Sequence, residues 1–168
     1  MKIVEGLKRL KVLEKRIVSN CSDITKYASI LSTEKPAFES ETMQKEEVRQ
    51  LIQASEDLGA EYLKLKSQIE RTNLQVSATI NGKTHTLSEF LVIKRKLARM
   101  MQGVYNALNT NAAEGRMHTS RFGNDQKVNI VQLYDESSRN ESLRAWQDLY
   151  EAVDSRLEVI NATEDLVE

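Results

Sequence analysis

The chain has 168 residues, one cysteine, one proline and a formal net charge of −1. This length fits a single domain, residues 1–168, and one cysteine excludes both an intrachain disulfide and a cysteine-rich zinc site. The balanced charge excludes a global field that would gather nucleic acid or an anionic membrane. The start has no signal-peptide core, and no apolar run approaches the roughly 20 residues of a transmembrane helix, so we expect a soluble, cytoplasmic protein.

The first segment has an apolar residue at every seventh position, namely Ile3, Leu10, Ile17, Ile24 and Leu31. Because seven residues are close to two helical turns, this spacing predicts an amphipathic helix over residues 2–31. A proline at position 36 cannot donate a backbone hydrogen bond, which predicts a turn. A second apolar seam then predicts a helix over residues 40–72; it consists of Val48, Leu51, Ser55, Leu58, Tyr62, Leu65, Ile69 and Thr72.

After the second helix, the apolar period changes to two residues. Asn81 and Gly82 lie at the centre of this stretch, and both tolerate the positive φ of a two-residue hairpin turn. We therefore predict a β-hairpin over residues 75–86. Thr86 and Glu89 have the spacing of a capping box, which predicts that the third helix begins there.

The third predicted helix covers residues 87–112, with the seam Leu87, Phe90, Lys94, Leu97, Met101, Val104 and Leu108. Leu91, Ile93 and Met100 lie beside this seam, so the helix has more apolar surface than one contact face uses. Polar residues and glycines predict a long loop over residues 109–128. Within it, residues 116–122 alternate well enough to pair with the hairpin as a strand.

The fourth predicted helix covers residues 129–164 and begins with Asn129 as its cap. The net charge changes sign from each predicted helix to the next. Sequence neighbours are spatial neighbours in an up-down bundle, so this alternation favours attraction across adjacent edges. The sequence therefore predicts an all-α fold: an antiparallel up-down four-helix bundle with long, coiled-coil-like helices and a small β-hairpin between the second and third helices.

Motifs of the common enzyme classes are missing, since the sequence contains no glycine-rich phosphate loop, no GxSxG, no HExxH and no CxxC. We therefore predict no catalytic residue, no metal and no cofactor. His85 and His118 would approach each other if the hairpin and the long loop paired, but metal sites need three or four ligands. The basic run over residues 94–99 has two interpretations: a phosphate contact or, more commonly, a solvated helix face.

Three strings of the sequence are distinctive: IERTN at 69–73, INGKTHTLSEFLVIKRKL at 80–97 and VDSRLEVIN at 153–161. Over essentially its whole length, the chain resembles a family of uncharacterised bacterial helical proteins with I-x-R-T-N, T-L-x-E/D and C-terminal L-D-x-x-I-Q-x-x-N-W motifs. Some members of that family are labelled septicolysin. The chain departs from the last motif at Leu157, Glu158 and Ala162. The resemblance implies a helical, oligomeric protein of unknown function and supplies no catalytic residue.

The septicolysin label implies a pore-forming lysin. A membrane-spanning strand needs about 9 to 11 alternating residues, whereas the stretch from Val76 to Ile80 provides five. Amphipathic helices can also lie on a membrane surface. A septicolysin-like lytic or membrane-active function is therefore an alternative interpretation.

The IERTN motif lies where the second helix is expected to end. We expect Asn73 to close this helix in a left-handed conformation and Arg71 to pair with an acidic group. Together with residues of the hairpin and the long loop, they form a candidate ligand or interface patch at one end of the bundle: Arg71, Asn73, Lys83, His85, Arg116, His118 and Arg121. Such a patch would bind an anionic ligand or a nucleic-acid phosphate, which is a second alternative.

The preferred interpretation is a non-catalytic, cytoplasmic assembly or interaction protein of unknown function. The surplus apolar surface of the third helix predicts a homo-oligomer, so the expected partner is the protein itself. No other partner is identified, and the signal for nucleic acid is not strong.

Overall fold

This computed structural model describes residues 1–119 and 128–167. The described chain is mostly helical, with a small two-stranded hairpin, as the sequence predicted. It divides into two compact units: unit 1 consists of Met1–Val76 and Val159–Glu168, and unit 2 consists of Ser77–Glu158. The arrangement of the helices as an up-down bundle stays a prediction.

Unit 1 is built on two antiparallel helices, α1 (Ile3–Tyr27) and α2 (Glu41–Gln75). Their direction follows from the side-chain pairs between them. Arg9 near the start of α1 pairs with Glu61 at 2.8 Å, and Asn20 further along α1 donates to Ser55 Oγ at 3.1 Å, closer to the start of α2. The first helix ends four residues before its predicted end, and Leu31 is exposed.

The core of unit 1 lies between the seams of these two helices. Leu10, Leu13, Leu65 and Ile69 form a buried cluster, and Leu58, Tyr62 and Leu166 pack against it. All but Leu13 and Leu166 belong to the predicted seams. The heptad pattern therefore identified most of the side chains that hold α1 and α2 together.

The predicted hairpin is confirmed. Strand β1 (Ser77–Ile80) pairs antiparallel with β2 (Lys83–Thr86), and Ser77 lies opposite Thr86. Asn81 and Gly82 form the turn with φ of 51° and 75°, the left-handed conformations that this dipeptide was expected to adopt. The capping box is also present, since Thr86 Oγ1 accepts from the Glu89 amide at 3.2 Å and Glu89 accepts from the Thr86 amide at 2.8 Å.

The third helix has an internal irregularity. It consists of α3 (Leu87–Val92), one π-helical segment (Ile93–Leu97) and α4 (Ala98–Asn106). The Ala98 amide donates to the carbonyl of Ile93, five residues back. A π segment takes in about one residue more than α-helical turns do, so it changes which side chains face the core.

The structure corrects two predictions that follow the third helix. Residues 111–119, expected to be part of a loop and of a strand, form helix α5 (Asn111–Thr119), and the remainder of that predicted strand lies outside the described residues. Helix α6 spans Glu136–Thr163 instead of beginning at residue 129. Its start coincides with a better cap, because Asp135 Oδ2 accepts from the Ser138 amide at 2.7 Å.

In unit 2, α6 runs antiparallel to the third helix. Lys94 pairs with Asp154, and Arg139 near the start of α6 donates to the carbonyl of Tyr105 at 3.0 Å, near the end of α4. The buried apolar residues of this unit come from the hairpin and both helices: Ile80, Leu87, Phe90, Ile93, Ala98, Val153 and Leu157.

Candidate functional site

The IERTN motif lies inside a helix, which corrects the expectation for Asn73. Helix α2 continues to Gln75, so Asn73 has no left-handed conformation and does not close the helix. Ile69, Thr72 and Asn73 are buried, whereas Arg71 is exposed and has an interaction partner. Most of this motif therefore contributes to packing within unit 1.

A short C-terminal segment, residues 164–167, explains why Thr72 is buried. The Val167 amide donates to Thr72 Oγ1 at 3.0 Å. The Leu166 amide donates to the carbonyl of Met1 at 2.8 Å, and the Ile3 amide donates to the carbonyl of Glu164 at 3.1 Å. These bonds fasten the C-terminal segment across α2 and the start of α1, so the threonine of the motif has a structural role.

A charged contact reinforces this fastening, because Lys2 Nζ donates to Asp165 Oδ2 at 2.6 Å. That hydrogen bond lowers the pKa of the Asp165 carboxyl below its usual value. A carboxyl with a lowered pKa in the folded state stabilises the fold above about pH 4, and this contribution is lost as the pH falls through the folded-state pKa. We therefore expect Asp165→Asn to lower Tm at pH 7 and to lower it less below pH 4.

The control for this prediction is Asp148→Asn. Asp148 is an exposed aspartate of α6 that forms no ion pair with any described residue. Thermal unfolding followed by circular dichroism at several pH values is the measurement. Equal Tm losses for both variants at pH 7, or a loss for Asp165→Asn that does not change with pH, would contradict the predicted linkage.

At the hairpin, His85 is engaged with the start of the third helix. Its ring packs edge to face on Phe90, with centroids 5.4 Å apart, and its Nδ1 lies 3.4 Å from Glu89 Oε2. The pKa of Glu89 is lowered, first by the hydrogen bond from the Thr86 amide and to a smaller degree by His85. These contacts make His85 a packing residue at the capping box.

The other members of the predicted patch are divided between the two units. Arg71 and Asn73 belong to unit 1, whereas Lys83, Arg116 and His118 belong to unit 2. Arg121 lies outside the described residues. Within the described chain, no hydrogen bond or ion pair joins the hairpin to α5, and no group of three potential metal ligands occurs. The patch stays a prediction.

Sequence reasoning missed a buried polar side chain, Gln44. Its Nε2 donates to the carbonyl of Tyr27 at 2.8 Å, and its Oε1 accepts from the Ala37 amide at 2.8 Å. It thereby joins the end of α1 to the chain segment that leads into α2. The sequence does contain a sign of this role. Position 44 lies on the seam of α2, four residues before Val48, and a polar residue there is unusual because a seam position normally holds an apolar side chain.

An apolar row lies exposed on the third helix of unit 2. This apolar stripe consists of Val92, Leu97, Met100 and Val104 of the helix and of Leu108, two residues beyond the helix end, and three of these side chains are 56–58% exposed. In a regular helix, Val92 and Met100 would diverge by about 80°. Since the π segment takes in about one extra residue, their separation is close to two full turns, and Val92 joins the stripe.

A solved structure resembles this chain in fold. The crystal structure of a functionally unknown conserved protein from Corynebacterium diphtheriae matches it with a TM-score of 0.62 over 99% of both chains. The two sequences are 16% identical, so the likeness shows a shared fold alone. No protein-family model matches the chain, and no curated protein matches it. The resemblance to septicolysin-labelled proteins therefore stays a prediction.

Among residues 1–119 and 128–167, no helix combines the length and the apolar character that a membrane-crossing helix needs.

Proposed function

We propose that this protein is a non-catalytic assembly protein of the cytoplasm that forms a homo-oligomer through the apolar stripe of its third helix. The observation that supports this proposal is the exposure of four apolar side chains along the third helix and of Leu108 just beyond its end. Single exposed apolar residues are ordinary, but a continuous row is typical of an interaction surface. Burial of such a row in an interface removes apolar surface from water, and each Å² that is buried stabilises the complex by about 25 cal/mol.

The spacing of the stripe favours a second copy of the same chain as the partner. Leu97, Met100 and Val104 follow one another by three and four residues, which is one heptad step of a coiled-coil seam. The holes between such side chains fit the side chains of a similar seam, and a second copy provides one. The formal net charge of −1 keeps the long-range repulsion between copies small.

Charge at the edge of the stripe favours antiparallel pairing. Lys96 lies one turn before Met100 and borders the stripe. In a parallel pair, the two copies of Lys96 would face each other. In a twofold antiparallel pair, Lys96 of one copy faces the apolar C-terminal half of the other stripe, so like charges do not meet.

The test is the solution mass of the wild-type protein and of the double variant Met100→Lys, Val104→Lys. We expect the wild type to have a multiple of 19.2 kDa by light scattering and the variant to have 19.2 kDa. Two buried, unpaired ammonium groups would weaken association by at least about 100-fold. Both replaced side chains are more than half exposed, so the variant keeps its far-UV circular dichroism.

The matched control is Leu63→Lys on α2, which replaces a side chain that is 68% exposed and outside the stripe. This variant keeps the wild-type mass. A wild-type protein of 19.2 kDa at high micromolar concentration would overturn the proposed oligomer. A double variant with the wild-type mass would overturn the stripe as its interface.

We propose a lytic or membrane-active function as the second candidate. The observation that favours it is the combination, on one helix, of the apolar stripe with the exposed cations Arg95, Lys96 and Arg99. Helices that lie on anionic membranes combine these two features. Dye release from vesicles of anionic phospholipid at micromolar protein would support this function, and intact vesicles would dismiss it.

A further inference from the structure

Unit 2 has a polar surface cavity of about 440 Å³ where the third helix runs beside α6. Four of its lining residues come from the third helix: Lys94, Arg95, Arg99 and Gln102. Tyr150 of α6 completes the lining. The side chains around this cavity are therefore rich in N–H and O–H donors, and none of them is a carboxylate.

The cavity has an excess of positive charge. Lys94 forms an ion pair with Asp154, one turn beyond Tyr150 on α6, so its charge is balanced. Neither Arg95 nor Arg99 forms an ion pair with a residue that the structure describes. Two uncompensated guanidinium groups therefore border the same space.

The positions of these arginines on the helix add a second argument. They are four residues apart, a spacing at which like charges on a helix repel each other. Arg95 also belongs to the π-helical segment, a backbone irregularity that occurs frequently at functional sites. An anion between the two guanidinium groups would convert their repulsion into attraction.

We propose that this cavity binds the phosphate group of a small organic phosphate. A phosphate monoester has close to two negative charges at pH 7 and three acceptor oxygens, which match two guanidinium groups, the Gln102 amide and the Tyr150 hydroxyl. The volume falls within the range of sites for small molecules, and the Tyr150 ring provides an apolar surface for the organic part.

This site differs from the predicted hairpin patch and from the apolar stripe, and it shares Arg95 and Arg99 with the cations of the membrane-active alternative. It contains none of the residues of the predicted hairpin patch. Leu97 and Met100 of the apolar stripe also do not line it, although Arg95 and Arg99 are their close neighbours in sequence. Phosphate binding and self-association can therefore be tested separately.

The experiment is a titration with ribose 5-phosphate, followed by calorimetry and by the fluorescence of Trp146. This is the single tryptophan, and it lies one turn before Tyr150 on α6. We expect saturable binding that weakens with added salt. Arg95→Gln and Arg99→Gln each lower the affinity about tenfold or more, and Tyr150→Phe lowers it less.

The matched control is Lys96→Gln, which removes one positive charge from the same segment but from a residue that does not line the cavity. Its affinity stays within about twofold of the wild type. Equal losses in Lys96→Gln and Arg95→Gln would show that only the overall charge matters and would overturn the proposal. No binding at millimolar ribose 5-phosphate would also overturn it.

Two further probes distinguish the source of the phosphate group. We expect inorganic phosphate to compete with ribose 5-phosphate, because both would occupy the position between the arginines. A short oligothymidylate has only phosphodiester groups between its nucleosides, with one charge each. Tighter binding of this oligonucleotide than of ribose 5-phosphate would overturn the small ligand in favour of a nucleic-acid backbone.

Discussion

Replacement of Leu13 by alanine is expected to lower the free energy of unfolding by about 2–5 kcal/mol. The Leu13 side chain is fully buried and packs in the cluster with Leu10, Leu65 and Ile69, where α1 meets α2. The substitution removes these contacts and leaves a cavity that two long helices cannot readily fill. Urea unfolding followed by circular dichroism measures the loss.

The matched control for Leu13→Ala is Val12→Ala, one residue earlier on the same helix. Val12 is 41% exposed, so we expect this change to cost less than about 1 kcal/mol. Leucine and valine differ in helix propensity by only a few tenths of a kcal/mol, about 0.5 kcal/mol at most, which is small beside the loss expected at Leu13. Similar losses for the two variants would contradict the assignment of Leu13 to the core.

The hairpin and the capping box were predictable because their causes are local. Asn81 and Gly82 adopt positive φ for reasons contained in the two residues themselves. Thr86 and Glu89 satisfy amides only three residues away. Structural features that depend only on such neighbouring residues can be predicted from a few residues of sequence.

The faces of the third helix were less predictable, because the seam was read with a regular helical period. The prediction that seam residues are buried is correct for Leu87 and Phe90. Beyond them, the π segment shifts the phase, so Ile93 and Ala98 are buried while Val104 of the predicted seam is exposed. The periodic pattern itself contains no sign of the extra residue per turn.

The roles of the distinctive motif and of the basic run depend on contacts between distant parts of the chain. Thr72 is buried because Val167, 95 residues later, donates to it. The cavity beside Arg95 and Arg99 exists because α6 brings Tyr150 next to them. The sequence pattern was compatible with a phosphate contact for the basic run. It could not predict that Tyr150, which is distant in sequence, lies beside this run.

The first residue of α6 was also predicted wrongly from the sequence. Asn129 and Gln132 have the spacing of a cap, yet the helix begins at Glu136, after Asp135. Several capping sequences can occur within one polar stretch. One turn into this helix, Arg139 donates a hydrogen bond to the carbonyl of Tyr105 on the third helix, a contact that the local sequence does not encode.

Replacement of Phe90 by alanine is expected to cost about 3–5 kcal/mol of stability in unit 2. Phe90 is the largest fully buried side chain of the described residues, and its ring contacts His85 of β2. Loss of the ring would therefore remove apolar contacts of the third helix and the support of the hairpin together. Hydrogen exchange at the amides of β1 and β2 reports the second effect.

Two variants separate volume from aromatic contact at this position. Phe90→Leu keeps most of the buried volume and loses only the edge-to-face contact, so we expect it to cost less than Phe90→Ala by about 2 kcal/mol. Val92→Ala, at a side chain that is 58% exposed, provides the control within α3 and should leave hairpin exchange unchanged. If Phe90→Ala left both the unfolding free energy and the hairpin exchange at their wild-type values, the core of unit 2 would have to lie elsewhere. A loss confined to hairpin exchange would instead limit the role of Phe90 to supporting His85.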